Sequence, residues 1–158
     1  MIKKTFALFL FFFLLSCSQI EFVVKENNQL KNKVNIITSE NSDERFNRAL
    51  YSFFGNNTNY EYILKTTFIE QKENRIVKKN QVAEKVDYTL EVNYELFYKN
   101  KNCEIFNKKI ISRFSFTPKS FGYNFGADRS FEKLYNNTVR QNIEKFLEVV
   151  NIVTTCPQ

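Results

Sequence analysis

The stretch VDYTLEVNYELFY, Val86 to Tyr98, is the most regular pattern in the chain. Large apolar side chains occupy every second position, and polar side chains fill the positions between them until Phe97 breaks the alternation. Because successive side chains of a strand point to opposite faces, the pattern predicts one long strand, spanning ~40 Å at about 3.3 Å per residue. One face of this strand lies in the core, so the other elements must cover it.

Two further segments are predicted to pair with this strand. From Tyr60 to Ile69 the side chains also alternate, and a third strand runs from about Glu104 to Phe116. In that third strand Ile110 and Ile111 fall on opposite faces, which predicts a bulge there or burial on both sides. The linker Gln71 to Lys85 has few apolar residues and is interpreted as a hairpin tip in solvent.

Two helices are predicted to cover the sheet. Val34–Thr38 is a short strand, after which Asn41 as cap and Glu44 three residues later indicate the start of a helix that ends at Gly55. Residues 120–126 are interpreted as a loop, and a second helix starts near Ser130. The apolar faces have helical spacing: Phe46, Ala49, Leu50 and Phe53 in the first helix, and Phe131, Leu134, Val139, Ile143, Phe146, Leu147 and Val150 in the second.

The order is therefore strand, helix, three meandering strands, helix. Hairpin connections favour antiparallel pairing, and amphipathic helices need a surface for their apolar faces. We predict an α+β fold, an antiparallel or mixed four-stranded sheet with two helices packed on one face. Residues 34–153 form this single domain, and residues 154–158 form a C-terminal tail.

The N-terminus has the parts of an export signal. Lys3 and Lys4 precede ten apolar residues, 6–15, a run that covers only about half of a ~30 Å bilayer core. The sequence LLSC that ends at Cys17 resembles a lipobox, in which the cysteine takes a diacylglycerol and an N-acyl chain and becomes the mature N-terminus. Residues 1–16 are then the signal peptide and residues 17–33 the tether. The alternative is an ordinary secretory signal with a cysteine near its cut site.

Composition excludes several classes of function. The chain carries 23 basic and 17 acidic side chains, and loss of Lys3 and Lys4 with the signal lowers the excess to +4, too little to indicate nucleic-acid binding. The chain has no His or Trp and no phosphate-binding glycine motif, nucleophile elbow or CxxC pair. No catalytic residue, metal site or cofactor is predicted.

Three cysteines become two once Cys17 is acylated. In an exported domain Cys103 and Cys156 then have only each other as disulfide partners. The alternative is two unpaired thiols, since the sequence does not determine their distance.

The chain resembles the LptE family of LPS-assembly lipoproteins. The resemblance rests on the lipobox, the order of strands and helices, and the aromatic turn SFGYNF (residues 120–125) with FEKLYNN (residues 131–137) leading into the last helix. It implies a non-enzymatic protein that plugs an LptD-like outer-membrane β-barrel and helps lipopolysaccharide reach the outer leaflet. Ser18 follows Cys17 in place of the aspartate that retains lipoproteins at the inner membrane, so the periplasmic face of the outer membrane is the expected location.

Basic side chains are the candidates for contact with lipid A phosphates. Four lie on the predicted hairpin, Lys72, Arg75, Lys78 and Lys79, and four on the strands, Lys65, Lys108, Lys109 and Arg113. The alternative for the hairpin cluster is solubility alone. For the whole chain, the alternatives are a lipoprotein subunit of another envelope complex and a small periplasmic enzyme.

The lipobox predicts that the mature protein begins at a lipidated Cys17. Intact-mass analysis of the protein from membranes should give a chain that starts at Cys17 and carries acyl mass, whereas a Cys17→Ser variant should carry none. A different first residue, or an unacylated Cys17, would contradict the assignment.

Overall fold

The computed structural model describes residues 28–76, 84–101, 103–117, 125–152 and 156. In these residues the elements are β1 (Val34–Thr38), α1 (Glu44–Phe54), β2 (Tyr62–Ile76), β3 (Glu84–Tyr98), β4 (Cys103–Phe116) and α2 (Phe125–Val149). The strands form one mixed sheet in the order β1-β2-β3-β4. β1 is parallel to β2, and the other pairs are antiparallel. The predicted α+β fold with a four-stranded sheet and two helices is confirmed.

β3 lies inside the sheet, and its apolar face is buried as its alternation predicts. The side chains from Tyr88 to Leu96 at every second position are buried, and both helices pack on this side. Phe46 of α1 stacks on Phe68 of β2 with ring centroids 4.8 Å apart. Phe146 of α2 stacks on Tyr94 at 4.4 Å. We call this side of the sheet the helix side, and the opposite side, which no described helix covers, the open face.

The hairpin between β2 and β3 has longer strands than predicted. The stretch Gln71–Ile76 belongs to β2, and Glu84 and Lys85 belong to β3, so most of the predicted linker is paired strand. Side chains 71–75 are exposed. Strand pairing continues there because backbone hydrogen bonds do not need an apolar side chain on either face.

The irregularity in β4 is not where the sequence predicted it. Leu96 pairs with Phe106 while Phe97 pairs with Glu104, so Ile105 is the extra residue of a bulge. At Ile110 and Ile111 the pairing is regular, and Ile110 is buried whereas Ile111 is 42% exposed. The prediction of a bulge or two-sided burial at these isoleucines was wrong because the open face tolerates an exposed apolar side chain.

The ends of α1 depend on specific side chains. The N-cap is Asp43, not the predicted Asn41, and its carboxylate accepts a hydrogen bond from the Arg45 N–H at 2.7 Å. Gly55 ends the helix with φ 77°, as predicted, and a Cβ at this position would collide with the Asn32 side chain.

α2 begins at Phe125, so Gly126 is helical and the predicted start at Ser130 was wrong. Residues 120–124 of the predicted loop lie outside the described residues. The face of α2 in the core also differs from the prediction, because Leu134 is exposed while three polar residues are buried: Tyr135, Thr138 and Asn142. Hydrogen bonds make this burial tolerable, since Asn142 is bonded to both β3 and β4.

The folded domain extends ahead of residue 34. Leu30, in the segment assigned to the tether, is fully buried in the core. The Asn28 side chain donates to the Phe53 carbonyl at 2.7 Å, and the Asn32 N–H donates to the Phe54 carbonyl at 2.7 Å. These hydrogen bonds attach residues 28–33 to the C-terminal end of α1.

A disulfide joins Cys103, at the start of β4, to Cys156, with Cα atoms 6.0 Å apart. The bond crosses a sequence separation of 53 residues. In the chain-entropy view, closing a loop of this length destabilises the unfolded state by about 4 kcal/mol. It also ties the C-terminal segment to the end of the sheet.

The two sides of β3 predict opposite responses to one substitution. Leu90→Asp would place a charge at a fully buried position, and we expect it to lower the free energy of unfolding by several kcal/mol, about half that of a typical domain. Thr89→Asp puts the same charge on the open face beside Arg113 and should change that free energy by less than about 1 kcal/mol. Urea denaturation of both variants tests this, and equal losses would contradict the assignment of the faces.

Candidate functional site

Three of the predicted functional residues lie outside the described residues. They are the lipidation site Cys17 and the hairpin residues Lys78 and Lys79. The other six basic candidates are all placed by the strands.

These six basic residues lie on both sides of the sheet. Lys72 pairs with Tyr88 and Lys108 with Tyr94, and since both partners are buried, this pair of lysines is on the helix side. The other four are on the open face: Lys65, Arg75, Lys109 and Arg113. The sheet therefore does not gather the six into one basic patch.

Several of these cations already have an acidic partner. Arg75 contacts Asp87 at 2.8 Å, and Lys109 contacts Glu91 at 2.6 Å. A hydrogen bond from the Ser115 hydroxyl, 2.6 Å long, lowers the pKa of Asp87, and the charge of Arg75 adds to this effect. On the helix side Lys72 lies 3.6 Å from Glu70. A phosphate at these positions would have to compete with a carboxylate.

The open face carries balanced charge. In the described strands it presents five basic and five acidic side chains: Lys65, Arg75, Lys85, Lys109 and Arg113 against Glu73, Asp87, Glu91, Glu95 and Glu104. It also exposes three isoleucines. Ile69 and Ile111 flank Glu91 in one row across the strands and are 46% and 42% exposed, and Ile37 lies on the edge strand. Such a face suits contact with a mixed, largely polar surface better than with a purely anionic one.

A cleft lies between the two helices on the described surface. This interhelix cleft has a volume of about 360 Å³ and is lined from α1 by Arg45, Arg48, Ala49, Ser52 and Phe53, and from α2 by Glu132, Asn136, Val139 and Arg140. Three arginines from two helices thus border one opening. Sequence reasoning missed them because it searched for basic residues on the strands. The i, i+3 spacing of Arg45 and Arg48 was the available signal, but it does not show that Arg140 lies opposite.

Arg45 stabilises one wall of the cleft through contacts with Asp43 and Tyr135. Its guanidinium donates to both carboxylate oxygens of Asp43, at 3.0 and 2.8 Å, and lies 3.6 Å from the centre of the Tyr135 ring. The Tyr135 hydroxyl donates to Glu70 at 2.8 Å, and burial raises the pKa of this tyrosine. Arg45 thereby connects the start of α1 to α2, and Tyr135 connects α2 to β2.

No group of three or more His, Cys, Asp or Glu side chains suited to a metal ion occurs among the residues that the structure describes. Neither of the two described helices is long and apolar enough to cross a membrane.

No protein-family model and no curated protein matches the chain. Solved structures do share its fold. Rare lipoprotein B from Shewanella oneidensis aligns with a TM-score of 0.51 and 15% identity, over 74% of this chain and 92% of that one. A candidate lipoprotein from Caulobacter crescentus aligns with a TM-score of 0.51 and 11% identity, over 71% of this chain and 84% of that one. At these identities the likeness is one of fold.

The Asp43–Arg45 pair predicts a dependence of stability on acid. The Arg45 hydrogen bonds hold the pKa of Asp43 below its ordinary value, so the pair contributes stability above about pH 4 that is lost as the pH falls through the lowered pKa. Asp43→Asn keeps a capping side chain but removes the charge. We expect this variant to be less stable than the parent near neutral pH, with the difference shrinking on acidification.

Urea denaturation at about pH 6 and about pH 3 measures this difference. Glu44→Gln is the control, because the side chain of Glu44 is 84% exposed and contacts Arg48 only at 3.9 Å. A deficit of Asp43→Asn that is the same at both pH values would show that the ion pair does not stabilise the fold.

Proposed function

We propose that this chain is a lipid-anchored outer-membrane lipoprotein that acts, as in the LptE family it resembles, as plug and assembly partner of an LptD-like lipopolysaccharide-translocon barrel. Its role is non-enzymatic. Cys17 carries the lipid, and the domain projects from the periplasmic face of the membrane into the barrel.

The observation that carries this proposal is a lipobox ahead of this fold. The order strand, helix, three strands, helix is the order on which the resemblance rests, and the solved structures that share the fold include rare lipoprotein B. The cysteines are consistent with the anchor. Because Cys103 and Cys156 are bonded to each other, Cys17 is the one cysteine of the three left for acylation.

The shape and chemistry of the sheet support a role as a plug. β2 and β3 have 15 residues each, which makes the sheet about 50 Å long at about 3.3 Å per residue. The lumen of a wide outer-membrane barrel is polar. An open face with five basic and five acidic side chains in its described strands and a few isoleucines is complementary to such a wall, because its charges sum to zero.

Contact with lipopolysaccharide belongs to the same proposal. Lys72 and Arg75 have exposed side chains on β2, and Lys78 and Lys79 lie outside the described residues. Lys72 and Arg75 have acidic neighbours, Glu70 and Asp87, whose bonds a phosphate must replace. Lys65, Lys108 and Arg113 form no ion pair within the described residues, so an anion would not have to displace a carboxylate at these positions.

Co-purification tests the partnership. The tagged full-length chain, isolated from detergent-solubilised outer membrane, should bring down one large β-barrel protein in stoichiometric amount. The double variant Ile69→Ser with Ile111→Ser should recover at least about tenfold less barrel, because it removes apolar contacts from the open face.

Leu134→Ser is the matched control, since Leu134 is similarly exposed, at 39%, but lies on a helix. It should recover as much barrel as the parent, and all variants should have the same melting temperature. The absence of a stoichiometric barrel would refute the proposed function, and full recovery by the double variant would refute the open face as the contact surface.

A further inference from the structure

We infer that the interhelix cleft is a binding site for a phosphorylated sugar, in which Arg48 and Arg140 hold the phosphate. These two arginines project from different helices and line the same opening of about 360 Å³. The site lies on the helices and includes none of the basic strand residues considered above. It stands on the geometry of the cleft alone and is independent of the barrel partnership.

The cleft arginines differ in how much of their charge is available. The charge of Arg45 is paired with Asp43 through two hydrogen bonds, and Arg45 forms part of the cleft wall. Arg48 has a side chain that is 68% exposed, and its only ion pair within the described residues is a 3.9 Å contact with the exposed Glu44. A pair of this kind contributes little and exchanges readily for a better acceptor.

Arg140 is the second available cation. Its guanidinium lies 5.6 Å from the centre of the Phe53 ring, and it forms no ion pair with any described residue. The aromatic ring orients the guanidinium without neutralising it. Two planar guanidinium groups on opposite walls suit the several oxygens of a phosphomonoester, which they bind with charge-assisted hydrogen bonds.

The other lining residues determine which kind of phosphorylated molecule fits the cleft. Phe53, Ala49 and Val139 provide an apolar surface against which the carbon face of a sugar ring can pack. Ser52 and Asn136 supply hydrogen-bonding groups for hydroxyls, and Glu132 supplies a carboxylate that accepts bonds from hydroxyls. Because the same carboxylate repels an anion, Glu132 disfavours inorganic phosphate and favours a ligand that presents hydroxyls there.

Calorimetry with the purified, detergent-solubilised full-length chain tests this site. We expect saturable binding of glucose 1-phosphate, weaker binding of inorganic phosphate and none of glucose. Titration with lipid A in mixed micelles distinguishes a lipid-linked phosphosugar from a soluble one: saturable binding of lipid A alone would identify the lipid-linked form as the ligand. The double variant Arg48→Gln with Arg140→Gln should weaken the binding of whichever ligand the parent takes by at least tenfold.

Two further variants assign the effect to the cleft. Lys133→Gln removes an exposed cation from α2 that does not line the cleft, and it should bind like the parent. Glu132→Gln should narrow the preference for glucose 1-phosphate over inorganic phosphate. Because the four substituted side chains, Arg48, Glu132, Lys133 and Arg140, are all exposed, the melting temperatures should be unchanged.

The inference is overturned if neither phosphosugar binds saturably, or if the double variant binds as tightly as the parent. It is also overturned if Lys133→Gln weakens binding as much as the double variant does, since the effect would then be one of net charge. None of these results bears on co-purification with a barrel, so the two proposals fail separately.

Discussion

The contact between Tyr94 and the second helix is the interaction on which the arrangement of this domain depends. The Tyr94 ring stacks on Phe146, and its hydroxyl donates to the Asn142 side chain at 2.9 Å. Asn142 in turn donates to the Ile110 carbonyl at 3.2 Å and to the Ser112 hydroxyl at 3.1 Å. All these polar groups are buried, so each would be costly without its partner, and burial also raises the pKa of Tyr94. The network therefore admits one position of α2 on β3 and β4.

Placing α2 in this way has two consequences. It leaves room beside it for α1, whose Phe46 and Phe54 pack on Phe68 and Phe146, so both helices lie on the same side of the sheet. No helix of the described residues covers the opposite side of the long strands. Because both described helices lie on one side, the open face must be compatible with water or with a partner. Its equal numbers of basic and acidic side chains in the described strands meet that requirement.

The open face and the interhelix cleft differ in their electrostatics because their charged side chains have different neighbours. On the open face the described strands carry equal numbers of basic and acidic side chains, and contacts such as Arg75–Asp87 leave little net potential. In the interhelix cleft, the charged side chains come from two different helices, and the lining carries three arginines but one carboxylate, Glu132. A surface with matched charge suits a broad contact with another protein, whereas a concave cationic surface suits a small anion.

The sequence by itself determined the elements and the face of the sheet that is buried, because a period of two and a helical period are local properties of the chain. Because successive residues of a strand point to opposite faces, the sequence alone also places Lys72 on the opposite face of β2 from Lys65 and Arg75. It did not determine the position of the bulge at Ile105, the start of α2 at Phe125, or the burial of Asn142 in place of Leu134. Those depend on which partner lies opposite: a polar side chain is buried only where another element offers its hydrogen bonds, and an isoleucine is exposed only where no layer covers it. The cleft is the clearest case, since Arg48 and Arg140 are far apart in the chain, and only the packing of α1 against α2 brings them to one opening.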